Sequence, residues 1–209
     1  HLIRKRKITG IINCPISKKF LLKKNFKGIT EFLSQKAKVY GNEVMLLYNK
    51  KLSVAPLTTH IPIKKVSQKI NKKIIIKKIK TINIFYKKNL KKTPIIGILG
   101  LNPHNSEIET NSEENKIIIP AIKILKKSKI KAIGPLSPDS SFAVYKKHKL
   151  DVILGMYHDQ VLTAYKAIFN LDAINITLGL PYIRISPDHG VGEDIVGKNK
   201  ANPKSLKEK

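Results

Sequence analysis

The sequence predicts an α/β fold with a mainly parallel sheet flanked by helices. Helix-like stretches of about a dozen residues alternate with short, continuous apolar runs, as expected for strands buried on both faces between crossover helices. Three of those runs, LSVAPLTT, PIIGILGLNP and DVILGMY, each end in a histidine: His60, His104 and His158. They are spaced by about one strand-helix-strand unit each. No internal repeat or Ser/Gly linker interrupts the chain, so residues 1–209 read as a single region.

Residues 8–13 (ITGIIN) form an apolar run stopped by Pro15, a buried strand. Loop and then helix follow over residues 16–32, with Gly28-Ile29-Thr30-Glu31 at the junction. Residues 44–48 and 52–57 are two strands around Asn49-Lys50-Lys51, a hairpin by composition, and the second leads into Thr58-Thr59-His60. From Pro62 to about Lys80, Val66, Ile70 and Ile74 recur at helical spacing. Residues 94–101 (PIIGILGL) are a buried strand leading to Asn102-Pro103-His104. Ser112-Glu113-Glu114 starts a helix, with a capping hydroxyl and acids in the first turn. That helix continues through IIIPAIKILKK, with a kink at Pro120. Ser137-Pro138-Asp139 is a second cap, with proline at the first helical position, and opens the helix around SFAVYKKH.

A formal net charge of +27 suggests a nucleic-acid partner. The kind of charge argues against one. Arg4, Arg6 and Arg184 are the only arginines, and arginine is the side chain suited to bidentate phosphate and base recognition. Lysine is instead spread along the chain among Ile and Asn. All three have A/T-rich codons, so an AT-rich genome yields this composition without selection for binding. Cys14 is the single cysteine and excludes an internal disulfide. No signal-peptide core opens the chain, and no apolar run approaches the ~20 residues of a membrane span. A cytoplasmic protein that binds neither membrane nor specific nucleic acid is expected. The missing initiator Met, and a start almost inside a strand-like run, predict a truncated chain.

Chemistry-bearing residues concentrate in residues 151–202. Ligands of open α/β sheets bind beyond the carboxyl ends of the strands, where His60, His104 and His158 arrive by a common route. Three imidazoles meeting there would hold a divalent metal and leave positions open for catalysis. His1 and His148 follow no strand, and His148 lies in YKKHK, a solvated helix face. Gly190-Val191-Gly192 followed by Gly197 is not a Rossmann fingerprint, because its spacing fails. It could still wrap a cofactor through backbone contacts.

Together, GLNPH (100–104), GPLSPDSSF (134–142), MYHDQ (156–160), INITLGLPYIR (174–184), SPDHG (186–190) and APLTTHIP (55–62) resemble the 4-hydroxythreonine-4-phosphate dehydrogenase family, in order and over nearly the whole chain. The resemblance implies an isocitrate/isopropylmalate dehydrogenase-like fold of two lobes with a cleft between them, which binds NAD without a Rossmann motif. It implies metal ligands at His60, His104 and His158, and substrate contacts at Thr30, Lys166, Asn175 and Arg184. Residues 189–203 look like the cofactor loop of that superfold, which puts Asp188, His189, Gly190 and Asp194 at NAD or NADP. The implied metal is zinc, alternatively Mg or Co, in a homodimer whose subunits share each metal site.

The implied reaction is NAD(P)-dependent oxidation of 4-phosphooxy-L-threonine to 2-amino-3-oxo-4-phosphooxybutyrate, which decarboxylates to 3-amino-2-oxopropyl phosphate. This step belongs to pyridoxal 5'-phosphate biosynthesis. Lys166 is the candidate proton acceptor, alternatively an anion contact, and Asp159 the candidate orienter of His158, alternatively a turn cap. Arg184 would clamp an anionic substrate group.

Two departures from the family pattern carry expectations. The family's Gly-His-Thr-Glu reads Gly28-Ile29-Thr30-Glu31 here; isoleucine donates no hydrogen bond, so weaker substrate binding is expected. The family's opening segment and final helix are also missing, so the region is incomplete at the N-terminus and slightly short at the C-terminus. The alternatives are a sister dehydrogenase of another phosphorylated hydroxy acid, such as phosphothreonate, or an inactive remnant.

Overall fold

The structure is a computed structural model that describes residues 9–16, 28–106, 109–170, 172–188 and 190–200. In chain order, its first elements are β1 (Gly10–Ile12), α1 (Ile29–Lys36), β2 (Val44–Tyr48), β3 (Ser53–Thr58), α2 (Lys72–Asn89) and β4 (Ile96–Leu99). There follow α3 (Ile119–Lys127), β5 (Ala132–Leu136), α4 (Pro138–Val144), β6 (Val152–Tyr157), α5 (His158–Phe169), β7 (Ile174–Leu178) and β8 (Ile183–Pro187). The expected two lobes appear as two compact units, residues 50–168 and residues 1–49 with 169–209.

In the first unit the strand order is β3-β6-β4-β5, and every pairing is parallel. Strand β4 is buried throughout, and β3 and β6 are buried except at their last residue. Their sequences are therefore continuously apolar rather than alternating. Leu154 on β6 is 0% exposed and lies between the two flanking strands, with Ala55 of β3 and Ile98 of β4 as register partners. Leu154→Ala is expected to cost about 2–5 kcal/mol, read as a lowered urea midpoint at unchanged slope. Strand β5 was not anticipated. It closes the strand order and, among the described residues, pairs only with β4, and such an edge position tolerates Pro135, whose presence masked the strand in the sequence.

The helix expected from Pro62 to about Lys80 is broken. Short turns at Ile63–Lys65 and Val66–Lys69 end at an extended Ile70. The Asn71 side chain then accepts the Ile74 N–H at 3.0 Å, starting α2, which runs on to Asn89. An Asn cap satisfies an amide that the first helical turn leaves open, so it wins over a continuous helix. The buried face of α2 is Ile75, Ile79, Ile82, Asn83 and Tyr86, the 3.6-residue stripe of a helix on a sheet. Tyr86 also donates its hydroxyl to Ser53 Oγ at 2.8 Å, tying α2 to the start of β3.

Ser112 caps as expected: its Oγ accepts the Asn115 N–H at 3.3 Å. The kink expected at Pro120 appears as a wide π turn, Glu114–Ile118, just ahead of α3. Proline has no N–H to give to the preceding turn, and a widened turn absorbs the loss. Helix α4 starts at Pro138 as expected but ends at Val144, short of His148.

In the second unit the strand order is β1-β8-β7-β2. Strand β1 pairs with β8 in parallel, whereas β7 pairs antiparallel with both β8 and β2. The mainly parallel sheet expected is thus parallel throughout in one unit and mixed in the other. Among the described residues, no helix is long and apolar enough to cross a membrane.

Candidate active site

His60, His104 and His158 follow β3, β4 and β6, three parallel strands of one unit that adjoin in the order β3-β6-β4. The structure brings two of them together. Thr58 and Tyr157 are partners at the ends of β3 and β6, and Thr58 Oγ1 donates to Met156 O at 2.8 Å. The residues just beyond them therefore emerge side by side. The His60 and His158 ring centroids lie 6.1 Å apart with the planes tilted by 36°. Two imidazoles sharing one ion at a Zn–N distance of ~2.0–2.1 Å place their centroids roughly 5–6 Å apart. The pair therefore fits a divalent metal after a small ring adjustment.

His158 Nδ1 lies 2.6 Å from Asp159 Oδ1. With Nδ1 protonated and donating to the carboxylate, Nε2 is left with its lone pair outward, the usual arrangement behind a metal-ligating imidazole. This is the contact foreseen for Asp159.

His104 does not join them. Among the described residues, no three His, Cys, Asp or Glu side chains are grouped closely enough to hold a metal. His60 and His158 stand within two residues of their strands, but residues 100–103 intervene between β4 and His104. His104, Asn105 and Ser106 all have left-handed backbone, with φ of 48°, 56° and 49°, and His60 has φ 42°. Each such L-residue costs roughly 1–2 kcal/mol, and strain of this kind concentrates at functional sites.

In the other unit, Arg184 on β8 is 3% exposed. It donates from Nε to Asn13 Oδ1 at 2.9 Å and from Nη1 to Thr177 Oγ1 at 3.1 Å. Among the described residues no carboxylate pairs with it. Burial pulls its pKa down to about 10, with Tyr182 opposing. The β7–β8 register, Asn175↔Ser186 and Ile176↔Ile185, sets Thr177 opposite Arg184. Asn175, two residues from Thr177, shares that face. Asn175 Oδ1 is buried and has no hydrogen-bond partner among the described residues. A buried guanidinium without a carboxylate, on one sheet face with an open acceptor, is suited to an anionic ligand that also carries a donor.

The remaining expected residues are spread along the chain. Thr30 lies in the first turn of α1, and Lys166 is half-buried on α5. Asp188 is buried just after β8, whereas Gly190 and Asp194 are exposed. His189 lies outside the described residues.

Three further residues belong around the histidines. Glu114 is 1% exposed, and its carboxylate accepts from Leu101 N (2.7 Å), Asn102 N (2.9 Å) and Asn102 Nδ2 (3.0 Å). Burial opposes its charge, but these hydrogen bonds outweigh burial and hold the carboxyl below its usual range. Its sequence signal was its place on the buried stripe Ile118, Ala121, Ile122 and Leu125, where an acid needs dedicated partners. Gln160 bridges two strand ends, and only its place next to His158-Asp159 marked it. Asp139 was read only as a cap. Its carboxyl is lowered chiefly by a hydrogen bond from the Ser137 side chain, with His104 adding an electrostatic contribution.

A relative from Sulfurihydrogenibium sp. (strain YO3AOP1), named 4-hydroxythreonine-4-phosphate dehydrogenase, is 45% identical over 209 residues, covering 97% of this chain and 63% of the relative. The crystal structure of 4-hydroxythreonine-4-phosphate dehydrogenase from Klebsiella pneumoniae superposes with a TM-score of 0.82 at 31% identity, over 98% of this chain and 63% of that one. Isocitrate dehydrogenase from Methylococcus capsulatus shares the fold at a TM-score of 0.60 and 11% identity, over 98% of this chain and 67% of that one. The chain thus spans less than two thirds of the length of the relatives named for the threonine-phosphate reaction. The family described as pyridoxal phosphate biosynthetic protein PdxA matches residues 1–209, and the chain belongs to that family.

Proposed function

We propose that the full-length protein oxidises 4-phosphooxy-L-threonine with NAD or NADP to 2-amino-3-oxo-4-phosphooxybutyrate, which loses CO2 to give 3-amino-2-oxopropyl phosphate. The observation that carries this reading is the His60–His158 pair at adjoining parallel strand ends, in a chain whose relatives are named for this reaction. His60 and His158 hold a divalent metal, zinc or alternatively Mg or Co, and a second copy of the chain contributes His104 as the third imidazole. The left-handed loop that keeps His104 apart from the other two supports this sharing. When bound, the ion supplies Lewis acidity that lowers the pKa of the substrate hydroxyl.

Asp159 keeps the His158 ring in one tautomer. Lys166 accepts the hydroxyl proton. Arg184 clamps an anionic group of the substrate and Asn175 accepts a substrate hydrogen bond, while Thr30 contributes a further contact from the first turn of α1. The loop of Asp188, His189, Gly190 and Asp194 contacts the nicotinamide cofactor. Because the guanidinium has a pKa of about 10, it is charged throughout the neutral range. Its contribution to anion binding should fade as pH rises through 10. KM for the phosphorylated substrate, measured against pH, is expected to stay flat from about 7 to 9 and then climb.

The direct test supplies purified full-length protein with zinc, NAD or NADP and 4-phosphooxy-L-threonine, and follows reduced nicotinamide. Turnover is the expected outcome. Ile29, which offers no hydrogen bond at the start of α1, favours testing phosphothreonate alongside. Faster turnover of phosphothreonate would reassign the substrate, and no turnover of either would mark an inactive remnant.

A further inference from the structure

The β4–β6 ladder ends at Ile98↔Leu154. Two residues further on, Gly100 O and Met156 N are not bonded to each other. The Gln160 side-chain amide bridges them, accepting from Met156 N at 2.6 Å and donating to Gly100 O at 2.8 Å. One amide thus takes the place of the next ladder hydrogen bond and ties the end of β4 to the strand that delivers His158.

The loop beyond β4 is gripped from its other side by Glu114. Its carboxylate takes the backbone N–H groups of Leu101 and Asn102 together with the Asn102 side chain. Asn102 Nδ2 also reaches Glu113 Oε2 at 2.9 Å, and Asn105 Nδ2 donates to Pro135 O at 3.2 Å. Space for these contacts requires glycine at two positions. A Cβ on Gly100 would lie 2.2 Å from Asn105 Oδ1 and 3.1 Å from Glu114 Oε1; one on Gly155 would lie 2.9 Å from Gln160 Oε1.

The segment gripped in this way leads directly into three consecutive left-handed residues, His104 among them. Such a run persists only where its surroundings over-determine it. A carboxylate that is 1% exposed is held there by the hydrogen bonds it accepts from that loop, and the loop is held in turn.

We propose that Glu114 and Gln160 are positioning residues for the metal site: together they set the His104 loop against the strand end that carries His158, although neither touches the metal. This rests on the assignment of His104 as a metal ligand. The expected effect is that of losing an outer-shell partner, a drop in metal affinity of about 10- to 100-fold.

The test titrates metal-free full-length protein with Co2+ alone, reading the visible absorption of the bound ion, for Glu114→Gln, Gln160→Ala, His104→Ala and the Glu114→Gln/His104→Ala double variant. Thermal unfolding without metal is measured in parallel. Glu114→Gln and Gln160→Ala should each weaken Co2+ binding about tenfold or more and alter the band intensities. Added to His104→Ala, Glu114→Gln should have no further effect. Should Gln160→Ala unfold, Gln160→Glu retains the acceptor for Met156 N and loses the donor to Gly100 O, and should weaken binding in the same way. If His104→Ala itself leaves Co2+ affinity unchanged, the metal assignment fails. If His104→Ala weakens binding while the Glu114 and Gln160 variants bind within twofold of the parent, the positioning role is overturned. An equal effect of Glu114→Gln in the presence and absence of His104 would also overturn it, because a merely structural role does not pass through that imidazole.

Discussion

His158→Ala is expected to abolish stoichiometric metal binding in the full-length protein and to lower turnover by more than about 100-fold, beyond the loss typical of an outer-shell partner. The ring opens α5 directly at the end of β6, its centroid is 6.1 Å from that of His60, and Asp159 lies against its Nδ1. Alanine removes one of the two donors that this chain brings together and leaves the proposed site one imidazole short of its three-histidine set. Asp159→Asn leaves both rings in place and should cost only the outer-shell increment, about 10- to 100-fold in metal affinity. Metal content by mass spectrometry under native conditions separates the two. Full zinc occupancy in His158→Ala would show that the His60–His158 pair is not the site.

The second large effect is expected at Arg184. Arg184→Lys keeps the positive charge but loses the planar fork that reaches Asn13 and Thr177. KM for the phosphorylated substrate should rise by roughly 10- to 100-fold, the loss of one or two charge-assisted hydrogen bonds. Stability should respond differently. Arg184 is 3% exposed and pairs with no carboxylate among the described residues, so the fold holds a desolvated cation that the proposed substrate anion would neutralise. Arg184→Met should therefore destroy substrate binding while changing the urea midpoint little or raising it. A large loss of stability in Arg184→Met would instead assign the guanidinium to the fold.

The sequence determined more of this site than a count of motifs suggests. The continuous apolar runs that lead to the three histidines fit strands covered on both faces, and the parallel unit and the place of each histidine beyond a strand end follow from that reading. The contact between Asp159 and His158 was legible because the two are neighbours at a helix start. Arg184 and Asn175 were legible through the resemblance carried by INITLGLPYIR, though their common face depends on the antiparallel register of β7 and β8.

What the tertiary structure decided is which groups meet. Sequence spacing treats the three histidines alike, but strand register brings His60 beside His158, while a four-residue extension and left-handed backbone set His104 apart. Asn71 ended one helix and began another because a side-chain cap competes locally with helix continuation, and periodicity cannot weigh that balance. In the sequence Glu114 reads as a helix-start acid and Gln160 only as the neighbour of His158-Asp159. Their roles arise from contacts 12 to 13 and 60 residues away along the chain, between backbone groups left unpaired where the strands end. An unpaired backbone amide or carbonyl leaves no mark on residue identity, so only the folded chain shows which side chain satisfies it.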